Sequence, residues 1–200
     1  MAERLPRAHT GFAMIEPLWV PDRTMNREEF QAWAAQQPRG RFERVGGRVV
    51  AMAPERAAHV RAKNAVWAAL RDAIVANGID CEALGEGMTV SVDADTDYEP
   101  DAPVNCGERT GDDAVAAPNP IVVVEVVSPS KRAMDSGAKL SDYFRMPSIR
   151  HYLIVRTDQR MVIHHQRRQD GVIEARLVGR GPIALDPPGI TVEAEAFFAP

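Results

Sequence analysis

Two acidic residues in apolar surroundings are the first candidates for chemistry in this chain of 200 residues. Glu125 interrupts the apolar run Ile121 to Val127, where a carboxylate without a compensating partner is energetically costly. Asp101 follows Pro100 in a segment that we predict to be the preceding strand, and neighbouring strands lie about 5 Å apart. Two carboxylates at that distance can share one divalent cation, so the pair predicts a metal site. A salt bridge between Glu125 and an arginine is the alternative.

Lys139 is a third candidate because lysine is rare in this sequence, which has three lysines and 21 arginines. Lys139 lies one helical turn after Asp135 and close to the apolar residues Leu140 and Tyr143. Its aliphatic part could therefore cross the edge of the core and bring its ammonium group toward the two acids. A solvent-exposed lysine paired with Asp135 is the alternative.

Charge is distributed unevenly along the chain. The net charge is +4 over residues 1–79, −11 over residues 80–130, +6 over residues 131–180 and −3 over the last twenty. The total of −4 argues against a generic nucleic-acid-binding protein, which normally carries a broad basic face. An acidic centre between basic segments suits a cation site with arginines nearby for an anionic ligand, although ordinary solvent-exposed charged faces would give a similar pattern.

Length and composition predict one globular domain. The chain is 45% hydrophobic and 26% charged, which allows a single buried core. We predict an N-terminal arm over residues 1–22 and one domain over residues 23–200. No apolar run is long enough for a membrane span or a secretion signal, so we expect a cytoplasmic protein without a membrane partner. Cys81 and Cys106 lack the short spacing of a metal-binding pair, and we expect two free thiols.

The elements that must position the candidate residues follow from the sequence periodicity. A β-hairpin is predicted around Gly46-Gly47, and adjacent His164 and His165 on one strand should point to opposite faces. The order of helix, hairpin, helix, strands, helix and strands predicts an α/β fold with a mixed sheet. The predicted helices cover residues 26–36, 55–77 and 135–146, with Asn26 and Asp135 as N-caps. The predicted strands cover residues 41–45, 48–52, 80–84, 88–92, 98–104, 121–127, 151–155, 161–165 and 172–178.

The succession of Pro100-Asp101, Glu125 on an apolar strand and a following lysine resembles the active-site pattern of the PD-(D/E)XK nuclease superfamily. More specifically, the chain resembles the Uma-two family of restriction-endonuclease-like proteins. The resemblance covers residues from about 24 to about 168. It is carried by residues 41–45, 47–54, His59, 100–101 and 125–130, by Asp135, Lys139, Leu140 and Tyr143, and by the strand 151–155.

This resemblance implies a restriction-endonuclease-like core, in which a central mixed β-sheet is flanked by helices and preceded by an N-terminal helix and hairpin. It also implies a Mg²⁺ or Mn²⁺ cofactor held by Asp101 and Glu125, with Lys139 assisting the attacking water. Glu43 matches the family's hairpin acid and could be a third ligand or a supporting group. His59 matches as well, and we expect it to form hydrogen bonds or to face a phosphate rather than bind the metal.

The chain departs from the superfamily pattern at two positions. Val127 stands two residues after Glu125, where the superfamily usually has its lysine. The resemblance to the Uma-two family implies that the amine comes instead from the following helix, at Lys139. Lys131 stands where the family more often has threonine and is a second, weaker candidate.

Together these observations predict a metal-dependent endonuclease that hydrolyses phosphodiester bonds of DNA, with water activated by Mg²⁺. Two alternatives stay open. The chain could be a catalytically silent module of the same fold that binds nucleic acid or protein, or a hydrolase of another phosphate ester. A homodimer is expected by analogy, because two sites cut two strands more easily than one.

Overall fold

The computed structural model describes residues 20–127 and 136–198. Most of the predicted N-terminal arm, Lys131 and the predicted N-cap Asp135 therefore lie outside the described residues. The helices are α1 Arg27–Ala34, α2 Ala57–Asn77 and α3 Ser136–Tyr143, and a 3₁₀ helix spans Ala194–Phe198. The strands are β1 Phe42–Val45, β2 Arg48–Ala51, β3 Cys81–Ala83, β4 Val90–Ser91, β5 Asp97–Tyr98, β6 Val104–Cys106, β7 Pro120–Val127, β8 His151–Arg156, β9 Met161–Arg167, β10 Ile173–Val178, β11 Pro182–Leu185 and β12 Ile190–Glu193.

The first helix and the hairpin form where the sequence predicts them. Asn26 caps α1, because its side chain accepts a hydrogen bond from the N–H of Glu29 at 2.9 Å and its own N–H donates to the Glu29 carboxylate at 3.0 Å. Gly46 and Gly47 join β1 to β2 with φ angles of 55° and 75°, which a tight two-residue turn requires. Phe30 of α1 packs against the hairpin. The hairpin extends into a four-stranded antiparallel sheet of order β2-β1-β5-β4.

A six-stranded mixed sheet of order β10-β9-β8-β7-β6-β3 forms the centre of the molecule. Strands β7 and β8 run parallel, and the connection between them includes α3, whereas the other pairs in this sheet are antiparallel. This is the mixed α/β architecture that the sequence predicts.

Helices cover both faces of the central sheet, so β7 is an almost continuous apolar strand. On one face, alternate residues Val122, Val124 and Val126 pack with α2, the β11-β12 hairpin and the 3₁₀ helix. On the other face, Val123 packs with Tyr143 of α3 and with residues of β8. Because side chains alternate along a strand, Glu125 points to the same face as Val123, toward α3. Its position on β7 therefore places the carboxylate between the central sheet and α3.

The predicted strand over residues 98–104 is wrong. Strand β5 ends at Tyr98 in the small sheet and β6 begins at Val104 in the central sheet, so residues 99–103 cross between the two sheets. The N–H groups of Asp101 and Ala102 both donate to the Val124 carbonyl, at 3.0 and 3.3 Å, instead of forming a regular ladder. Asp101 thus reaches β7 from a crossing segment rather than from a strand.

The prediction of two free thiols is also wrong. Strands β3 and β6 pair antiparallel with Cys81 directly opposite Cys106, and a disulfide joins the two residues. The sequence separation of 25 gave no sign of this pairing, because only the register of β3 on β6 brings the two side chains together. Strands β11 and β12 and the 3₁₀ helix were not predicted either. None of the described helices combines the length and the apolar character that crossing a bilayer requires.

Candidate active site

Glu125 stands at the centre of the candidate site. Its carboxylate leaves β7 on the α3 side, and its side chain is 13% exposed. The hydroxyl of Tyr143 donates to Oε1 of Glu125 at 2.8 Å, and Nζ of Lys139 lies 3.0 Å from the same oxygen. Lys139 and Tyr143 are four residues apart on α3, so one face of a short helix delivers both groups to the carboxylate.

Lys139 bridges two acids from different sheets. Its ammonium group lies 2.9 Å from Oε1 of Glu43 on β1 and 3.0 Å from Glu125 on β7. The same group lies 4.8 Å from the centre of the Tyr98 ring, and the side chain is buried. The backbone N–H of Glu99 donates a further hydrogen bond to Glu43 at 3.1 Å. The lysine therefore holds the small sheet and the central sheet together through their acidic residues.

Asp101 has a different ammonium partner, Lys63 of α2. Nζ of Lys63 lies 2.6 Å from Oδ1 of Asp101, and the N–H of Val126 donates to Oδ2 at 2.6 Å. Lys63 also forms a very short contact with Glu55 and lies 3.2 Å from Glu86. Lys63 was not among the predicted site residues. Its scarcity as one of three lysines was a usable signal, as was its spacing of three from Val66 on the buried face of α2.

One narrow cavity of about 50 Å³ brings the predicted residues together. Of the described residues around it, four carry carboxylates and two carry ammonium groups, which leaves an excess of two negative charges when all are ionised. Tyr152 of β8 and residues of β7 also line it. The lining residues are Glu43, Met52, Glu55, His59, Lys63, Asp101, Glu125, Val126, Val127, Lys139 and Tyr152. We call this set the carboxylate–lysine site.

The pKa values of three of these acids are raised. Burial raises the pKa of Glu43, and the neighbouring Lys139 only partly offsets that effect. Burial likewise raises the pKa of Asp101 despite Lys63, and that of Glu125 despite Lys139. Negative charge on Asp101 adds to the rise at Glu125. The two lysines therefore offset only part of the effect of burial on these carboxylates.

Tyr143 remains a hydrogen-bond donor to Glu125. Burial raises the pKa of its hydroxyl well above its ordinary value, and the adjacent Glu125 carboxylate adds to the rise. A protonated hydroxyl 2.8 Å from Oε1 fixes the orientation of the Glu125 side chain.

A second group of charged residues borders the site and was missed by the sequence reasoning. Arg41 lies 3.1 Å from Glu99 and forms a very short contact with Glu86, which in turn contacts Lys63. The predicted residue His59 lies on the first turn of α2, with Nε2 3.8 Å from Glu55. Through Arg41, Glu86 and Glu99 these contacts extend to a larger cavity of about 570 Å³, which these three residues help to line.

The donor set fits a hard divalent cation in kind. Mg²⁺ is usually bound by one or two carboxylates together with water, and Asp101 and Glu125 supply two carboxylates in one cavity. Within residues 20–127 and 136–198, no three imidazole, thiol or carboxylate groups already stand at the mutual spacing of a metal site. The lysines instead contact Oε1 of Glu43, Oε1 of Glu125 and Oδ1 of Asp101, so a cation at any of these three oxygens would have to replace an ammonium group.

Comparisons with known proteins found a family, a sequence relative and a solved structure that this chain is similar to. The family model described as "Uma2: Putative restriction endonuclease" matches residues 27–195. An uncharacterized protein of Synechocystis sp. (strain ATCC 27184 / PCC 6803 / Kazusa) is 27% identical over 156 residues, which are 76% of this chain and 79% of the relative. A crystal structure from Anabaena variabilis ATCC 29413, described as a putative nuclease belonging to DUF820, superposes with a TM-score of 0.64 at 13% identity. That match covers 87% of this chain and 97% of the other, and shows a shared fold.

Proposed function

The chain belongs to the Uma2 family, and from this premise we propose that it is a Mg²⁺-dependent endonuclease that hydrolyses phosphodiester bonds of DNA. One observation carries the proposal. Glu125, the single acid on an apolar central strand, shares a cavity with Asp101, Glu43 and Lys139. A buried cluster of acids with raised pKa values beside a cavity is a typical feature of functional sites.

Asp101 and Glu125 would hold the divalent cation, Mg²⁺ or Mn²⁺, and Glu43 is the candidate for a third carboxylate contact. The excess of two negative charges among the described lining residues matches the charge of one such ion. A bound divalent cation lowers the pKa of a coordinated water and neutralises charge on the phosphate.

The other residues have roles that their contacts suggest. Lys139 lies between Glu43 and Glu125 and brings positive charge beside the attacking water, while Tyr143 fixes the Glu125 carboxylate. Lys63 fixes Asp101 from α2, and the N–H of Val126 holds the second oxygen of that carboxylate. Each acid is therefore oriented from a different element before substrate arrives, which is the preorganisation that phosphoryl-transfer sites use.

A DNA cleavage assay tests this proposal. We expect the purified protein to nick supercoiled plasmid with Mg²⁺ or Mn²⁺ and to be inactive with EDTA. Asp101→Asn, Glu125→Gln and Lys139→Met should each lower the cleavage rate about 100-fold or more. Asp72→Asn is the matched control, because Asp72 is an exposed acid on α2 that contacts Arg71. Undiminished cleavage by all three site variants would rule out this assignment.

A specific observation supports a second candidate function. Every acid of the cluster already contacts an ammonium group, as expected for a nuclease fold that binds nucleic acid or protein without cleaving it. Calorimetry with Mg²⁺ and Mn²⁺ separates the two functions. Binding by the wild type that is lost in Glu125→Gln supports the nuclease, whereas heat changes that are identical in both proteins support the silent module.

A further inference from the structure

Strand β10 forms one edge of the central sheet, and no described strand lies beyond it. The hydrogen bond from the N–H of Arg168 to the C=O of Val172, at 2.9 Å, fixes which residues of the β9-β10 hairpin bond to each other. Because the register is regular, the next bonded residues of β10 are Glu174 and Arg176. Ile173, Ala175 and Leu177 therefore direct their N–H and C=O groups away from β9, toward the open edge.

Three of the usual protections of an edge strand are missing from β10. Its sequence, Ile-Glu-Ala-Arg-Leu-Val, has no proline and no lysine, and it pairs with β9 without the register shift of a bulge. Leu177 is 70% exposed and Ile173 is 37% exposed, and both flank the small residue Ala175 on one face. Exposed apolar side chains beside unpaired backbone groups favour addition of another strand.

We propose that β10 pairs antiparallel with β10 of a second copy of this chain, about a two-fold axis at Ala175, to form a continuous twelve-stranded sheet. Ala175 then faces its own equivalent, and Ile173 faces Leu177 of the second copy. All three pairs use N–H and C=O groups that point away from β9, and each pair exchanges two hydrogen bonds, so the pairing forms about six hydrogen bonds.

Charge selects this register among those that a two-fold axis allows. With the axis at Ala175, Glu174 stands opposite Arg176 of the second copy, once on each side of the axis. An axis at Glu174 or at Arg176 would place like charges directly opposite each other, which is unfavourable. An axis at Ile173 or Leu177 would leave one end of the strand without a partner. Hydrogen bonds from Arg176 and Arg168 lower the pKa of Glu174 to about 2, so its charge persists at neutral pH.

The apolar face continues from the core to this edge. In the sheet register, Leu177 lies opposite Ile163, Ile163 opposite Ile154, and Ile154 opposite Glu125. Pairing at β10 would extend that row, because Leu177 would next contact Ile173 of the second copy. Strand β7 lies three strands from β10, so the carboxylate–lysine site takes no part in the pairing. This inference is therefore independent of the proposed nuclease activity.

A charge-reversal cycle, followed by sedimentation equilibrium of the full chain, tests the pairing. An edge contact of one strand is small, so we expect a reversible dimer of the wild type between about 1 and about 200 µM. Glu174→Arg and Arg176→Glu should each weaken dimerisation about tenfold or more, because each places like charges opposite each other twice. The double variant restores opposite charges and should recover dimerisation to within about threefold of the wild type.

Matched variants separate pairing from folding. Arg71→Glu reverses an exposed arginine on α2 and should leave the dimer unchanged. Ala175→Pro removes an outward-facing N–H that β9 does not use and should give a folded monomer, with far-ultraviolet circular dichroism as the check on folding. A wild type that is monomeric up to about 200 µM, or single variants that dimerise like the wild type, would overturn the proposal. So would a double variant that stays as weak as the single ones.

Discussion

Strand β1 contributes neighbouring residues to two buried charged clusters that differ in kind. Glu43 points into the carboxylate–lysine site, and Arg44 points to the opposite side of the small sheet. Arg44 is fully buried, and its guanidinium binds Asp97 through Nε at 2.8 Å and through Nη2 at 2.6 Å. Arg27 binds the other oxygen of Asp97 at 2.9 Å. We call Arg27, Arg44 and Asp97 the arginine cluster.

The two clusters differ in how fully hydrogen bonds satisfy their buried charged groups. In the arginine cluster, the carbonyl groups of Met25 and Ala94 accept the remaining hydrogen bonds of Arg44, at 3.2 and 2.8 Å. In the carboxylate–lysine site, burial raises the pKa of Glu43, Asp101 and Glu125 in spite of the lysines, and a cavity adjoins the acids. Charged groups that are fully hydrogen-bonded indicate a structural role, whereas acids with raised pKa values beside a cavity indicate a site that takes a ligand.

The largest effect on stability is expected in the arginine cluster. Arg44→Met removes both hydrogen bonds to Oδ2 of Asp97 and leaves a buried carboxylate with only Arg27. We expect the free energy of unfolding in urea to fall by about 3–5 kcal/mol. Arg71→Met is the control, because its exposed pair with Asp72 should contribute less than about 1 kcal/mol. Equal losses in both variants would contradict the distinction between the clusters.

The sequence predicts local features of this comparison better than distant ones. The α1 helix and the β1-β2 hairpin form as predicted because Asn26 and Gly46-Gly47 specify them with neighbouring residues. The alternation of β1 also implies that Glu43 and Arg44 lie on opposite faces. The partner of Arg44, however, is 53 residues away, and nothing in either local sequence identifies it.

For the candidate site, too, the sequence does not predict contacts between residues that are far apart along the chain. Glu125 stands out because a carboxylate is costly in an apolar strand, and this argument needs no partner. Asp101 was assigned to a strand, although its position depends on a crossing between two sheets. Lys63 was missed because a lysine on a helix is usually solvent-exposed, and only packing of α2 on the central sheet buries it.

Removal of Lys139 should cost less than removal of Arg44, because the acids that remain can take up protons. In Lys139→Met the pKa values of Glu43 and Glu125, already raised by burial, should rise further. A carboxyl group whose pKa is raised in the folded state makes the protein less stable as the pH rises above the ordinary pKa of that group. We expect a loss of about 2 kcal/mol at pH 7 and a smaller loss at pH 5. Urea denaturation at both pH values measures the difference, and an equal loss at both would contradict this account.

Divalent cations should stabilise one cluster and not the other. With a dissociation constant of about 1 mM, about 10 mM Mg²⁺ should add about 1.4 kcal/mol to the free energy of unfolding. Arg44→Met should keep this increment, because its site is intact, whereas Glu125→Gln should lose it. Thermal unfolding with Mg²⁺ and with EDTA measures the increments. A similar response in Glu125→Gln would show that the ion binds elsewhere.

Neutral replacements of single acids should have opposite effects on stability in the two clusters, and the change at Glu43 is the smallest effect that we expect. Asp97→Asn should destabilise the protein, since two arginines then lack their counter-charge. Glu43→Gln should instead stabilise the metal-free protein at pH 7 by up to about 1 kcal/mol. The substitution removes a buried charge, and Lys139 keeps its ion pair with Glu125.

The pH dependence of the Glu43→Gln effect provides the sign test. Burial raises the pKa of Glu43 above its ordinary value of 4.5, so ionised Glu43 lowers stability only as the pH rises above that value. Near pH 4 the carboxyl group is protonated in the folded and, in large part, the unfolded state, and the variant should match the wild type. The gain should appear between about pH 4.5 and pH 7, measured as the difference in free energy of urea unfolding with EDTA present. A loss of stability that is constant over this range would place Glu43 with Asp97, as a structural partner of its cation.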